Sequence, residues 1–148
     1  MGYRHTQTVT LMLLISVLGL AGGIWIGVSQ PFDTVGNVIV ELVSLLLVVV
    51  GLVAARLTVS IDGRSVSTWF GWGWPRRTIA LVDIVSAERV RNSWWHGWGV
   101  RKVRGGWMYN NAGYDAVELR LASGKVFRIG TDEPDVLLGA IDAARLAA

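Results

Sequence analysis

Two long runs without charged side chains dominate the hydrophobic pattern of this chain. No charged residue lies between Arg4 and Asp33, and a second uncharged run follows shortly afterwards. We predict helices at about residues 9–28 and 35–55. Twenty helical residues span about 30 Å, which is the thickness of the hydrocarbon core of a bilayer. The pattern therefore predicts a transmembrane hairpin within residues 1–56.

The link between the predicted helices, residues 29–34, is short and contains Pro31, which suits a helix end or a turn. Helices joined by so few residues must run antiparallel as neighbours. Basic residues close to helix ends favour the cytoplasmic side, and they occur at Arg4 and from Arg56 onward, whereas the link carries only Asp33. We predict a multi-pass plasma-membrane protein with both termini in the cytoplasm. A cleaved signal peptide is the alternative, although no A-x-A site follows the first run.

Glycines in the first predicted helix recur every four residues, at Gly19, Gly23 and Gly27. They lie in one row, where the backbone of another helix can approach closely. One interpretation is packing inside the hairpin, against Ser44, Gly51 or Ala55. The other interpretation is the seam of a homo-oligomer.

Glu41 is the ionisable residue expected at membrane depth, which makes it a functional candidate. It lies about two turns from the start of the second helix, so it can snorkel to the interface or hydrogen-bond to Asn37. A transport or proton-relay role would need a further intramembrane charge, and the predicted hairpin supplies none.

Beyond Arg56 the period changes from helical to the alternation typical of half-buried strands. Asp62-Gly63 marks a hairpin turn, and Pro134 follows residues that suit a helix N-terminus, which predicts a C-terminal helix at about 133–146. Strands are predicted at residues 57–61, 65–70, 77–81, 84–90, 99–104, 106–109, 117–121 and 126–129. These short strands, closed by one helix over residues 57–148, indicate an α+β, mainly antiparallel fold, arranged as a pleckstrin-homology-like barrel.

Three segments carry a resemblance to a known family: residues 95–101 (WHGWGVR), 105–121 (GGWMYNNAGYDAVELRL) and 124–141 (GKVFRIGTDEPDVLLGAI). They resemble bacterial pleckstrin-homology-domain-like membrane proteins, a small and mostly uncharacterised group. Members place such a domain after one or two transmembrane helices. The resemblance implies a fold and a membrane location, and it implies no catalytic residues.

Composition narrows the possible chemistry. The chain has no cysteine, which excludes disulfides and thiolate sites, and its histidines, His5 and His96, lack metal-ligand spacing. Neither Gly71-x-Gly73 nor Gly97-x-Gly99 completes a phosphate-binding motif. Four acidic residues, Asp83, Glu88, Asp115 and Glu118, lie on or beside different predicted strands, and nothing in the sequence shows that any two converge as an acid/base pair. We therefore expect no enzymatic activity, cofactor or metal.

Tryptophan is abundant, with 8 in the chain, and most of these residues lie near basic side chains. Tryptophan rings prefer the lipid headgroup region, and each nearby Lys or Arg gains about 1 kcal/mol from an anionic leaflet. The predicted lipid or partner surface comprises Trp72, Trp74, Arg76, Arg77, Trp94, Trp95, Trp98, Arg101, Lys102 and Arg104. Alternatively, several tryptophans fill the core of the domain. A mixture of core and surface tryptophans is the expectation, because one small core does not readily hold them all.

These patterns together predict a membrane-anchored binding or scaffold module at the inner membrane surface. Its partners would be anionic membrane lipids, a membrane protein or a second copy of the chain. The alternative is an accessory structural subunit of a larger membrane complex. The net charge of +3 is too small to favour nucleic acid.

Overall fold

The computed structural model describes residues 2–29 and 34–147, so the predicted turn with Pro31 and Asp33 lies outside the described residues. Helix α1 extends over Thr10–Ser29 and helix α2 over Thr34–Ala54, which confirms the two predicted apolar helices. The helices pack side by side. The amide of Val9 donates a hydrogen bond to the carbonyl of Ala55 at 2.8 Å, which places the start of α1 beside the end of α2.

Both helices are long and apolar enough to cross a membrane, by length and composition. Only about 6% of each apolar window is buried inside the protein. Large side chains such as Leu18, Trp25 and Val28 are exposed. Exposed apolar patches of this extent mark an interaction surface for lipid or protein.

The described strands form two sheets. Their bounds are β1 Tyr3–Thr8, β2 Arg56–Ile61, β3 Ser65–Phe70, β4 Arg76–Ala80, β5 Ile84–Arg91, β6 Gly99–Val103, β7 Gly106–Asn110, β8 Asp115–Leu121 and β9 Val126–Gly130. Strands β1 to β4 form a four-stranded antiparallel sheet, in that order. The other sheet has the order β5-β8-β9-β7-β6, with β7 and β9 parallel and the other neighbours antiparallel.

The first strand, β1, was not predicted from the sequence. Its residues, YRHTQT, are polar, and they pair with β2 over the full strand length, from Tyr3 opposite Ile61 to Thr8 opposite Arg56. The N-terminal segment therefore belongs to the same sheet as the chain that follows α2. Both ends of the helix pair enter the sheet at one end.

The core lies between the two sheets and the C-terminal helix α3, Pro134–Leu146. Alternating residues of β2, such as Leu57 and Val59, face Val117 and Leu119 of β8 across it. Tyr109 contacts Phe70 and Phe127, with ring centroids 5.5 Å and 5.2 Å away. Tryptophan is absent from the buried core of the described residues, so the expected mixture of core and surface tryptophans is not what the protein has.

The part after the helices is thus α+β, with antiparallel and mixed sheets and one C-terminal helix. Among the described strands neither sheet closes on itself. The pleckstrin-homology-like barrel stays a prediction.

Tyr3 offers a test of how tightly β1 packs. Its hydroxyl is buried without a hydrogen-bond partner among the described residues, and burial, with Glu133 and Asp132 nearby, raises its pKa to about 12. An unfolded tyrosine ionises near pH 10, so the folded state loses stability as the pH rises from about 10 to 12. We expect Tyr3→Phe to keep or raise stability at pH 8 and to weaken this alkaline loss.

Thermal unfolding of the full chain in a neutral detergent at pH 8, 10 and 11.5 measures the effect. The exposed Tyr114 provides the matched control, Tyr114→Phe, which should follow the wild-type profile. An alkaline loss of equal size in Tyr3→Phe and wild type would show that Tyr3 ionises freely in the folded protein.

Candidate functional site

A polar contact joins the helix pair to the second sheet. Asn111, which follows β7, is buried, and its side-chain amide donates hydrogen bonds to the carbonyls of Gln7 at 3.1 Å and Ala55 at 3.3 Å. These two carbonyls lie just before α1 and just after α2. The Asn111 end of the second sheet therefore sits against the ends of both helices.

The loop between β3 and β4 reaches the same place. The amide of Gly71 donates to the carbonyl of Arg56 at 2.9 Å. A Cβ atom on Gly71 would lie 2.9 Å from Cα of Val53, and its φ is +48°, so only glycine lets this loop approach α2 so closely. Trp72 and Trp74 follow, and both side chains are more than three-quarters exposed.

The loop between β5 and β6 also lies at this end. The backbone amide of Asn92, the first residue of the loop, donates a hydrogen bond to the carbonyl of Tyr114 at 2.6 Å. Gly99, which directly follows the loop, pairs with Asn110. The rings of Trp94 and Trp95 stack with centroids 3.6 Å apart, and both are exposed.

The two predicted tryptophan clusters lie at one end of the β-rich part, because Trp74 and Gly99, the residue after Trp98, line one groove beside α2. We give the name junction face to the end of the β-rich part that carries Trp72, Trp74, Trp94, Trp95 and Trp98. All five side chains are exposed.

The two predicted arginines of β4 point to opposite faces of the first sheet. The guanidinium of Arg76 lies 4.8 Å from the ring centroid of Trp69 and donates to Oγ of Ser67 at 3.4 Å. Arg4 of β1 covers the same ring at 5.6 Å, so Trp69, which was not in the predicted surface, holds two cations. Arg77 pairs in register with Thr68 and faces the gap between the sheets.

The predicted basic residues of β6 do not all reach the junction face. Arg101 remains close, because its Nε donates to the carbonyl of Trp98 at 2.9 Å. Lys102 instead lies 5.6 Å from the ring centroid of Trp107. Arg104 lies five residues beyond Gly99, or about 16 Å away at 3.3 Å per strand residue. The fold therefore separates Lys102 and Arg104 from the tryptophans of the junction face.

Two grooves beside the junction face were not anticipated. An apolar groove of about 350 Å³ lies between α2 and the β-rich part, with Val50, Val53, Phe70, Trp74 and Val100 in its wall. A second groove of about 280 Å³ lies between the edges of the two sheets. The second groove contains Arg77, Lys125 and Tyr109.

The glycine row has two environments. Gly23 packs against Ser44, whose Cβ would lie 2.8 Å from a Cβ at Gly23, and Gly51 of α2 meets Ser16 in the same way. Within the described residues, a Cβ at Gly19 or Gly27 would have no atom within 4 Å. Gly23 thus packs inside the hairpin, whereas the space beside Gly19 and Gly27 is open among the described residues.

The remaining polar candidates form structural pairs. Glu88 and Glu118 lie opposite each other on β5 and β8, and Arg120 donates to Glu88 at 3.0 Å and approaches Glu118 at 3.7 Å. His5 Nε2 lies 2.7 Å from Asp132, which ties β1 to the start of α3. The described residues contain no group of His, Asp and Glu that could hold a metal ion.

Glu41 is exposed on α2, and it forms no ion pair with any residue that the structure describes. No family model and no curated protein sequence matches this chain.

Proposed function

We propose that the chain is a two-span membrane protein whose β-rich part lies at the cytoplasmic membrane surface and binds anionic lipid headgroups as a binding or scaffold module. The observation that carries the proposal is the junction face. Two loops with exposed tryptophans lie at the end of the β-rich part where both apolar helices enter the sheets. The proposal includes the pleckstrin-homology-like barrel and the bacterial origin implied by the sequence resemblance.

Two features support a membrane span over the other roles of apolar helices. A helix in the core of a soluble protein is mostly buried, whereas these helices bury about 6% of their apolar windows. Cleavage of a signal peptide would remove β1, and β2 would lose the partner with which it pairs along its whole length. An uncovered strand edge favours aggregation.

The position of the junction face supports contact with headgroups. The headgroup region extends about 5–8 Å beyond each side of the hydrocarbon core. If α2 leaves the hydrocarbon at Ala54, the loop of Trp72 and Trp74 lies at this level, because Gly71 contacts Val53. Arg76, Arg77 and Arg101 lie on the strands next to these loops, where they can approach lipid phosphates.

Depth-dependent quenching of a single cysteine label tests the proposal, since the chain has no cysteine of its own. We expect an environment-sensitive label at Trp74→Cys to be quenched by brominated lipid in vesicles that contain the full chain. A label at Gly63→Cys, in the β2–β3 turn at the far end of the sheet, is the matched control and should escape quenching. Phosphatidylglycerol should strengthen the quenching at position 74, and salt should weaken it. Equal quenching at both positions would refute the proposed orientation of the domain.

The same Gly63→Cys variant tests sidedness. A membrane-impermeant maleimide should modify it in inside-out vesicles and leave it unmodified in intact spheroplasts. Modification in spheroplasts would place the β-rich part outside the cell, contrary to the proposal.

An accessory role in a larger assembly is a second candidate function. The observation that favours it is the open space beside Gly19 and Gly27 among the described residues, which leaves room for another helix. Cysteine cross-linking in native membranes separates the two candidates. If the chain belongs to a larger assembly, Gly27→Cys should form a stoichiometric cross-linked product with another subunit. Gly23→Cys, which packs against α2, should form none. A lipid-binding module without partner subunits should form no such product at either position.

A further inference from the structure

The two grooves beside the junction face are adjacent. Val100 of β6 contributes to the wall of both. Phe70 in the apolar groove contacts Tyr109 in the second groove, with ring centroids 5.5 Å apart. The grooves therefore lie next to each other, one beside α2 and one in the gap between the two sheets, and we call this succession of grooves the path.

The path is apolar at its membrane end. Val49 and Val50 belong to the last two turns of α2, inside the proposed membrane span, and they line the groove together with Trp74 and Pro75. This end of the path is open to the hydrocarbon that would surround α2. A groove with such a lining suits an acyl chain.

The path is cationic at its other end. Arg77 and Lys125 line the second groove, and no Asp or Glu side chain among the described residues lines either groove. Within the same described part of the chain, neither cation forms an ion pair. Two cations without a counter-charge in a concave site favour an anionic ligand.

The height of Arg77 allows contact with a lipid phosphate. Arg77 is in register with Thr68 and Val59, and Val59 lies three residues beyond Arg56, or about 10 Å along the strand. That distance is just beyond the headgroup region, and the long Arg77 side chain can extend back to it. Lys125 lies further from α2, beside Gly105. Burial raises the pKa of Tyr109 although Arg77 acts in the opposite direction, so the hydroxyl stays protonated at neutral pH and can donate a hydrogen bond.

We propose that the two grooves form one binding site for a single anionic phospholipid of the adjacent leaflet, with its acyl chain against α2, its phosphate near Arg77 and its headgroup directed toward Lys125. The inference rests on the proposed function, and it goes further by naming one bound lipid and its site. Lipid held there would connect α2 to both sheets. Of the residues in this site, only Trp74 and Arg77 belonged to the predicted surface.

Native mass spectrometry of the full chain, released from neutral detergent micelles, tests the inference. The probes are phosphatidylglycerol, phosphatidylcholine and soluble glycerol 3-phosphate. We expect wild type to retain one phosphatidylglycerol in preference to phosphatidylcholine. Glycerol 3-phosphate should neither bind nor displace it, because it lacks the chain that fills the apolar groove.

The decisive variant is Arg77→Gln/Lys125→Gln, in which we expect affinity for phosphatidylglycerol to fall about 30-fold. The control Arg64→Gln/Arg104→Gln makes the same change in net charge at exposed sites and should stay within about threefold of wild type. Val100→Phe narrows the shared wall without changing charge, and it should also weaken retention. Near-UV circular dichroism of each variant verifies that it is folded.

The outcomes separate the two proposals. Absence of any preference for phosphatidylglycerol in wild type overturns both. A preference that survives in Arg77→Gln/Lys125→Gln and in Val100→Phe, but falls in the control, overturns the groove site and leaves general headgroup binding in place. Binding of glycerol 3-phosphate as tight as that of phosphatidylglycerol overturns the lipid as occupant.

Discussion

Arg128→Met is expected to lower the free energy of unfolding of the β-rich part by about 3 kcal/mol or more. Glu118 and Arg128 are direct partners across β8 and β9, with 2.5 Å between Oε2 and Nε. The Glu118 side chain is only 8% exposed. Methionine at position 128 leaves the Glu118 carboxylate buried without its main partner. An unpaired buried charge lowers stability more than replacement of both charged residues by apolar ones.

A second contact fixes the orientation of the pair. Nη1 of Arg128 donates to Oδ1 of Asn92 at 3.2 Å, at the start of the loop that carries Trp94 and Trp95. Loss of Arg128 should therefore loosen this side of the junction face as well as destabilise the sheet. The remaining cation near Glu118 is Arg120, at 3.7 Å and largely in solvent, so its compensation is weak.

Thermal unfolding in neutral detergent, followed by near-UV circular dichroism, measures the loss. The matched control is Arg120→Met on the same strand face, which removes the exposed pair with Glu88 and should cost less than about 1 kcal/mol. The double variant Glu118→Met/Arg128→Met should recover most of the stability, because it removes both buried charges. A double variant as unstable as Arg128→Met alone would show that packing, and not the unpaired charge, causes the loss.

The hydrophobic pattern was sufficient to predict the helices and most strands. Strand β2 alternates Leu57, Val59 and Ile61 with polar residues, and its core-facing positions are those three. The turn after it is also confirmed, since Asp62 accepts hydrogen bonds from the amides of Arg64 and Ser65 at 2.9 Å and 2.6 Å. These bonds lower the pKa of Asp62. Local patterns determine such elements, and they are visible in the sequence.

Strand β1 could not be predicted in this way, because its own side chains do not specify it. Its register comes from the exposed edge of β2 and from contacts such as His5 with Asp132. The division into a hairpin of residues 1–56 and a domain of residues 57–148 did not anticipate that Tyr3–Thr8 joins the sheet. A polar segment paired with a distant strand carries no periodic hydrophobic signal.

The candidate site was predictable by residue type and not by arrangement. Aromatic and basic residues indicated a headgroup surface, but only the strand directions separate Arg104 from Trp98. Lys125 lies in a turn without neighbouring tryptophans in sequence, and the parallel pairing of β7 with β9 brings it beside Trp107. Long-range pairing of this kind is a property of the fold.

Two arginines in the middle of α2 should have the largest effect of all on membrane integration. Leu42 and Leu45 lie near the centre of the 20-residue span of α2, and both side chains are exposed. Each arginine at mid-membrane depth costs about 3–4 kcal/mol relative to leucine on the insertion scale. We expect Leu42→Arg/Leu45→Arg to disfavour insertion by about 6–8 kcal/mol, and the protein should become extractable from membranes with urea.

The matched control, Leu11→Arg/Val28→Arg, places the same two charges near the ends of α1, where both side chains are also exposed. Arginines there can extend their guanidinium groups to the interface, so the membrane-bound fraction should stay close to that of wild type. The comparison isolates the effect of depth in the membrane, because the added charge and the exposure of the substituted side chains are alike in the two variants. Only lipid around the helices makes depth matter. Helices exposed to water would tolerate either pair of arginines. In helices covered by a protein partner, the effect of the arginines would not depend on their distance from the helix ends.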